Sequence, residues 1–309
     1  MNKPRESRHP SPSLWHPRYW LAWFCMGIVY LFSLLPFQSK QAFGEWLGNR
    51  LYRVAKSRAK VARQNLKACF PDWSAEHTDE VARQTFVEVS RGLMASVHLW
   101  SHPLFDVTSR TDYVGLEHLQ QAQAKGKGVL LITAHYSLIE LGFHLFLAPA
   151  ERPGYMYRSN DHPVVDRMIE RGRRHSHDNM TGFDKFQGKE MVAFLKNGGQ
   201  VAYACDQDFN DKTKFFIPFL GVEAPCIDRP THIAREAAVS VIFVSFYRTK
   251  NNRYRVDYSP IQEGFGKDAE ADARAWNQYI EKTVRDRPEQ YFWLHKRFKT
   301  RPEGSAPIY

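Results

Sequence analysis

Gly128-Val129-Leu130-Leu131-Ile132-Thr133-Ala134-His135-Tyr136-Ser137-Leu138-Ile139-Glu140-Leu141-Gly142 begins with the pattern of a strand and ends with that of a helix. Val129 to Thr133 is apolar and β-branched, as in a strand buried in a sheet. Ser137 opens a Ser-x-x-Glu capping box, with Glu140 at the third helical position. His135 and Glu140 are five residues apart, which on a continuous helix would point them about 140° away from each other. They meet only with His135 outside the helix and Glu140 in its first turn. In that arrangement His135 is a general base able to take a proton from a hydroxyl, and Glu140 is the carboxylate that polarises it. A second reading stands beside the first: Glu140 caps a helix and His135 ends a strand.

Working outward, strand-like and helical runs alternate from near Thr111. After the helix that ends near Leu147 come a strand at 154–157, a helix at 164–174, a polar loop and a helix at 189–196. Strands at 200–205, 239–247 and 253–258 follow, then a helix at 269–286. This order predicts an α/β fold with helices packed around a largely parallel sheet. Polar clusters fall just after three strands, where such folds carry their sites. They are His135 with Glu140, Tyr157-Arg158-Ser159-Asn160-Asp161, and Asp206-Gln207-Asp208. Asp206 and Asp208 are expected to orient Arg158 or to bind polar groups of a substrate. No ligand spacing accompanies these carboxylates, so no metal is assigned. His175-Ser176-His177 lies in a basic, polar loop and is read as solvated. Cys205 is read as a small buried residue rather than a nucleophile.

The formal charge of +10 favours anionic partners. Four widely spaced cysteines, with no Cys-x-x-Cys pair, argue against a disulfide framework or a zinc cluster. From Tyr19 to Ser39 there is no charged residue, and Trp15, Tyr19, Trp20 and Trp23 cluster at one end. That run predicts a membrane-anchoring helix over 19–39, either spanning or lying shallowly. The remaining segments are a basic tail over 1–18, a basic helical segment at the membrane surface over 40–110, and an α/β core over 111–309. Basic residues on both flanks of the apolar run put that core on the cytoplasmic face. Near the end, aromatic residues lead into Lys296, Arg297, Lys299 and Arg301. No nucleic-acid fold motif accompanies them.

Together these stretches resemble the late acyltransferases of lipid A biosynthesis, the Kdo-dependent lauroyl/myristoyl-transferring enzymes of Gram-negative bacteria. The resemblance runs nearly end to end. It covers His16-Pro17-Arg18-Tyr19-Trp20, Arg63-Gln64-Asn65-Leu66 with Cys69-Phe70-Pro71, His135-x4-Glu140, and Tyr157 to Asp161. It continues through Asp206-Gln207-Asp208-Phe209-Asn210 and the closing Trp293-Leu294-His295-Lys296-Arg297-Phe298-Lys299-Thr300-Arg301-Pro302-Glu303-Gly304. It implies a glycerolipid-acyltransferase-like fold at the bacterial inner membrane. It also implies an acyl-carrier-protein thioester as donor, a Kdo-bearing lipid A precursor as acceptor, and no cofactor. His135 and Glu140 are then the catalytic pair, with Arg158, Asp206, Gln207, Asp208, Arg297, Lys299 and Arg301 binding substrate. A glycerolipid acyltransferase is the nearest alternative, but the Phe-Pro-Glu-Gly-type acceptor block of those enzymes is replaced by the Asp206 stretch. A non-catalytic, membrane-anchored protein binding anionic lipid would explain charge and anchor, but not three polar clusters at strand ends.

Overall fold

Ten helices and nine strands are described in a computed structural model covering residues 14–102, 106–175, 179–208, 215–261 and 264–309. Four helices come first: α1 (Trp20–Ser33), α2 (Phe37–Val54), α3 (Lys56–Cys69) and α4 (Ala75–Ser101). Then follow β1 (Thr111–Val114), α5 (Leu116–Ala124), β2 (Val129–Thr133), α6 (Ile139–Phe146), β3 (Pro153–Tyr157) and α7 (Pro163–His175). The chain continues through β4 (Thr181–Asp184), α8 (Gly188–Lys196), β5 (Gln200–Ala204), β6 (Phe215–Phe219), β7 (Val222–Cys226) and α9 (Arg229–Ala237). It closes with β8 (Ser240–Arg248), β9 (Tyr254–Pro260), α10 (Ala269–Asp286) and an irregular segment to Tyr309.

The main sheet has seven strands in the order β1-β9-β8-β2-β5-β3-β4. Every pairing is parallel except β8 with β9. Each parallel connection needs a crossover, which is why helices separate the strands in sequence. The α/β expectation holds. The sheet centre is β2, whose five residues are all buried, so its unbroken apolar run is what both covered faces require. Residues of α2, α3 and α4 join the same buried core as the sheet, among them Phe37, Leu66, Ala82 and Leu99. Gly92 of α4 lets that helix approach the turn after β2, since a Cβ there would lie 2.7 Å from the Ser137 carbonyl. Outside the main sheet, β6 and β7 form a hairpin whose turn residues, Leu220 and Gly221, both have positive φ.

The spanning anchor is corrected. Among the described residues no helix is long and apolar enough to cross a membrane. α1 has 14 residues, about 21 Å at 1.5 Å each, against a hydrocarbon core of about 30 Å. The cause is at 34–40: α1 ends at Ser33, Leu34 and Leu35 lead into Pro36, whose backbone is non-helical, and α2 starts separately at Phe37. Lys40 then folds its ammonium back onto the Ser33 carbonyl and is itself buried, so the end of α1 is capped by a charge. What α1 does show is an outward stripe of Leu21, Phe24, Ile28 and Leu31, all exposed.

Candidate active site

Strand register brings the first two functional side chains together. β2 and β5 are hydrogen-bonded neighbours, with Ile132 opposite Tyr203 and Thr133 opposite Ala204. Two residues further along each strand, His135 stands beside Asp206. The Asp206 carboxylate is 2.6 Å from His135 Nδ1 and also accepts the His135 backbone N–H, at 3.0 and 3.1 Å to its two oxygens. The Tyr291 hydroxyl donates to Asp206 Oδ2 at 2.6 Å. Arg297 lies 3.4 Å from the same oxygen and donates to the Asp206 carbonyl, to the Tyr291 oxygen at 2.5 Å and to Asn277 Oδ1 at 2.8 Å. The guanidinium rests on the Phe219 ring, 4.0 Å from its centroid.

Electrostatics fix the roles of these atoms. Burial alone would raise the Asp206 carboxyl, but His135, Arg297 and the Tyr291 hydrogen bond overcome it and hold the group well below the usual carboxylate range. An ionised Asp206 can only accept, so a neutral His135 carries its proton on Nδ1 and offers a lone pair at Nε2. The Asp206 side chain is 1% exposed and that of His135 25%. One ring edge is thus locked in the interior while the other remains accessible. Among the described residues Nε2 has no hydrogen-bond partner.

A closing segment seals the site from behind. Tyr136 and Tyr291 form an antiparallel bridge, with Ser137 N donating to the Gln290 carbonyl at 2.7 Å and Phe292 N to the His135 carbonyl at 3.0 Å. Asn65 of α3 donates to the Trp293 and His295 carbonyls, each at 2.8 Å. Asp208 accepts from Thr300 N at 2.6 Å and from its hydroxyl at 3.0 Å. The Arg63-to-Leu66 motif and the Asp206-to-Asp208 motif therefore both grip the C-terminal block. Trp293 and Phe298 are fully buried, in irregular chain that follows a short 3-10 turn rather than in a helix.

Glu140 lies in the first turn of α6, as the spacing requires, but its carboxylate does not hold His135. It pairs with Arg173 of α7, which donates from Nε at 2.9 Å and from its second terminal nitrogen to the other oxygen. Arg173 is packed by Tyr155, Phe143 and Tyr157, with centroids at 4.9, 5.3 and 5.7 Å. A guanidinium gives a carboxylate two charged hydrogen bonds, where a neutral imidazole gives one weaker bond. The expected His135–Glu140 bond is corrected accordingly: the carboxylate on His135 is Asp206. The Ser137 capping box is also not formed. The Ser137 N–H is taken by the Gln290 carbonyl and residues 136–139 form a turn, so the helix begins at Ile139 with Leu138 as a cap that makes no side-chain bond, and the Ser137 hydroxyl caps nothing.

Glu140, Arg173, Tyr157, Arg158 and Asn160 line a cleft of about 180 Å³. Arg158 is largely exposed there, 4.0 Å from an exposed Asp161. Neither Asp206 nor Asp208 orients it, because both are engaged by the closing segment. Gln207 is half-buried between them. Of the cations expected to bind substrate, Lys299 is exposed, while Arg301 donates to the Glu223 carbonyl at 2.8 Å. Arg297 is corrected to an internal residue lying beneath the site. Burial drives the Cys205 thiol far up, in keeping with a structural role. Ser176 and His177, with Phe209 and Asn210, lie outside the described residues. Sequence reading did not single out Arg173, Tyr291 or Asn277. Tyr291 sat in a recognised aromatic block, and only strand pairing reveals where its hydroxyl points.

The chain matches the family model described as bacterial lipid A biosynthesis acyltransferase over residues 8–300. It is 35% identical over 303 residues to the lipid A biosynthesis lauroyltransferase of Escherichia coli (strain K12), covering 97% of this chain and 98% of that protein. Identity to the lipid A biosynthesis palmitoleoyltransferase of the same strain is 32% over 296 residues, covering 95% and 96%. A lipid A biosynthesis acyltransferase of Haemophilus influenzae is 28% identical over 304 residues, covering 96% of each chain.

Proposed function

This chain belongs to the bacterial lipid A biosynthesis acyltransferase family, and we propose that it transfers a fatty acyl chain from an acyl-carrier-protein thioester to a hydroxyl on a 3-hydroxyacyl chain of a Kdo-bearing lipid A precursor. The observation that carries the mechanism is the 2.6 Å bond from His135 Nδ1 to a buried Asp206, which leaves Nε2 as the basic atom.

The acceptor hydroxyl gives its proton to Nε2 as its oxygen attacks the thioester carbonyl. Asp206 stabilises the imidazolium that forms. The tetrahedral intermediate then collapses, the C–S bond breaks, and the proton on Nε2 passes to the departing sulfur to give the carrier thiol. Acyl oxygen ester and free thiol are the products, and no acyl-enzyme is needed. Among the described residues, Arg158, exposed at the cleft, is a cation suited to the developing oxyanion or to a phosphate of the acceptor. Glu140 and Arg173 set the cleft wall beside it. The exposed stripe of α1 supports a shallow seat at the inner-membrane interface, where a lipid acceptor presents its hydroxyl.

The test incubates purified protein with acyl-carrier-protein thioester and either the Kdo-bearing precursor or lysophosphatidic acid, and reads the products by mass. One added acyl chain on the lipid A precursor is expected, and His135→Ala should lower the rate by roughly 10²- to 10⁴-fold. Transfer to lysophosphatidic acid alone, or full activity in His135→Ala, would overturn the reading.

A further inference from the structure

Arg297 is a cation almost without surface: its side chain is 4% exposed. Burying a guanidinium is costly unless a buried anion meets it. The anion here is Asp206, and the reason the pair exists lies in the needs of its third member, His135. A base must be neutral before it acts, so the charge that balances Asp206 in the resting protein has to come from another group.

The groups around the pair can be taken in turn. Tyr136 stands next to His135, and Cys205 and Asp208 flank Asp206. Burial raises the tyrosine and the thiol, leaving both neutral, and Asp208 is an anion already bonded to Thr300. On the closing segment, burial also raises Tyr291 and lowers His295, whose Nε2 accepts the Asp208 N–H at 3.3 Å. Arg173, on the cleft side, is taken up by Glu140. Among the described residues, His135 and Arg297 are the two cations within ion-pair distance of Asp206. Of these, only Arg297 is permanently charged.

We infer that Arg297, acting through Asp206 and the Tyr291 hydroxyl, is a positioning residue that keeps His135 neutral and its Nε2 free to serve as the base. Among the described residues, loss of Arg297 would leave His135 as the cation at the buried carboxylate. The imidazolium would then be favoured, and the proton would occupy the atom that must accept one. Asn277 and the Phe219 ring fix the guanidinium in register with Asp206. The inference rests on His135 being the base of the proposed reaction, but its test needs no substrate.

The titration of His135 can be followed by NMR on full-length protein carrying ¹³C-labelled histidine, with its signal assigned by loss in His135→Gln. In Arg297→Gln the midpoint should rise by about one pH unit or more, the scale on which a neighbouring opposite charge acts. Tyr291→Phe removes one hydrogen bond from Asp206, so its midpoint should move the same way by about half as much. Arg297→Lys keeps the charge and should stay within about 0.3 units of the parent. A folded Arg297→Gln with an unmoved midpoint, or Arg297→Lys shifting as far as Arg297→Gln, overturns the proposal. Should Arg297→Gln not fold, an unmoved midpoint in Tyr291→Phe does so. Titration as expected in a parent protein that transfers no acyl chain would refute the proposed reaction, and with it the purpose of the arrangement, while leaving the coupling of Arg297 to His135 established.

Discussion

Asp206 with Arg297 and Glu140 with Arg173 are both carboxylate–arginine pairs at the carboxyl edge of the sheet, but they are built for different surroundings. The first is sealed, with side chains 1% and 4% exposed. The second faces a cleft, at 30% for Glu140 and 9% for Arg173. Asp206 also accepts hydrogen bonds from His135 and Tyr291, whereas both oxygens of Glu140 accept from the one guanidinium. A sealed ion pair can hold the protonation state of a neighbour because water does not screen it. A pair on a cleft wall instead fixes shape and leaves nearby Arg158 for a ligand. On the proposed reading the two carboxylates of this site divide the work: one acts on the base and the other on the space in front of it.

The sharpest way to break that division is Asp206→Asn. The amide cannot hold the Nδ1–H tautomer as a carboxylate does, and it leaves Arg297 buried without an anion. Turnover should fall by about 10³- to 10⁴-fold, the scale of a lost orienting carboxylate in a histidine-based site. Stability at pH 7 should fall by about 3–5 kcal/mol, as when one partner of a buried pair is removed. The carboxyl of Asp206 is held below its unfolded value, so its contribution is present above pH of about 3.9 and is lost as pH falls below that. Urea unfolding of both proteins at pH 7 and in that acid range should show the gap narrowing. An unchanged gap would mean that Asp206 is not held as an anion.

A smaller effect is expected from Glu140→Ala. It strands Arg173 beneath three aromatic rings, but the partly exposed site admits water. The loss should be about 1 kcal/mol and about 10²-fold in turnover. Adding Arg173→Met should recover most of the stability, because the unpaired charge is then gone. The acid limb of the pH–rate profile should stay where it is in Glu140→Ala, since the contact to His135 is made by Asp206. A limb that shifts in Glu140→Ala would show that Glu140 touches the imidazole during turnover, and the two carboxylates would no longer be distinct.

Why the two were confused from sequence is a matter of geometry. His135 and Glu140 are near in the chain, and β2 was legible from its unbroken apolar run. The partner of His135 lies 71 residues away. Finding it requires knowing that β5 lies beside β2, which depends on the order of strands and not on any one of them. Elements with strong patterns, the apolar run of β2 and the helical periods of α7 and α10, were visible from sequence. β4, the short edge strand β1 and the β6–β7 hairpin were not, because four or five residues with mixed burial carry little pattern. The anchor misled for the opposite reason. Its composition is that of a span, but a span also needs one continuous helix, and Pro36 with the fold-back of Lys40 ends it.

That last point gives the mildest perturbation, directed far from both carboxylates. Among the described residues the stripe of α1 carries no charge and is left uncovered, which suits the shallow membrane seat proposed for it. Replacing Leu21 and Phe24 with serine removes two of its largest exposed side chains. Each is worth up to about 2 kcal/mol on full burial, and an interface buries only part of that, so partitioning onto anionic vesicles should weaken by roughly tenfold. Turnover on detergent-dispersed acceptor should change by less than about twofold, because neither ion pair is touched. Equal losses in both assays would mean that α1 supports the cleft through the contact of Tyr19 with His162 at the start of α7. The separation between membrane seat and chemistry would then have to be given up.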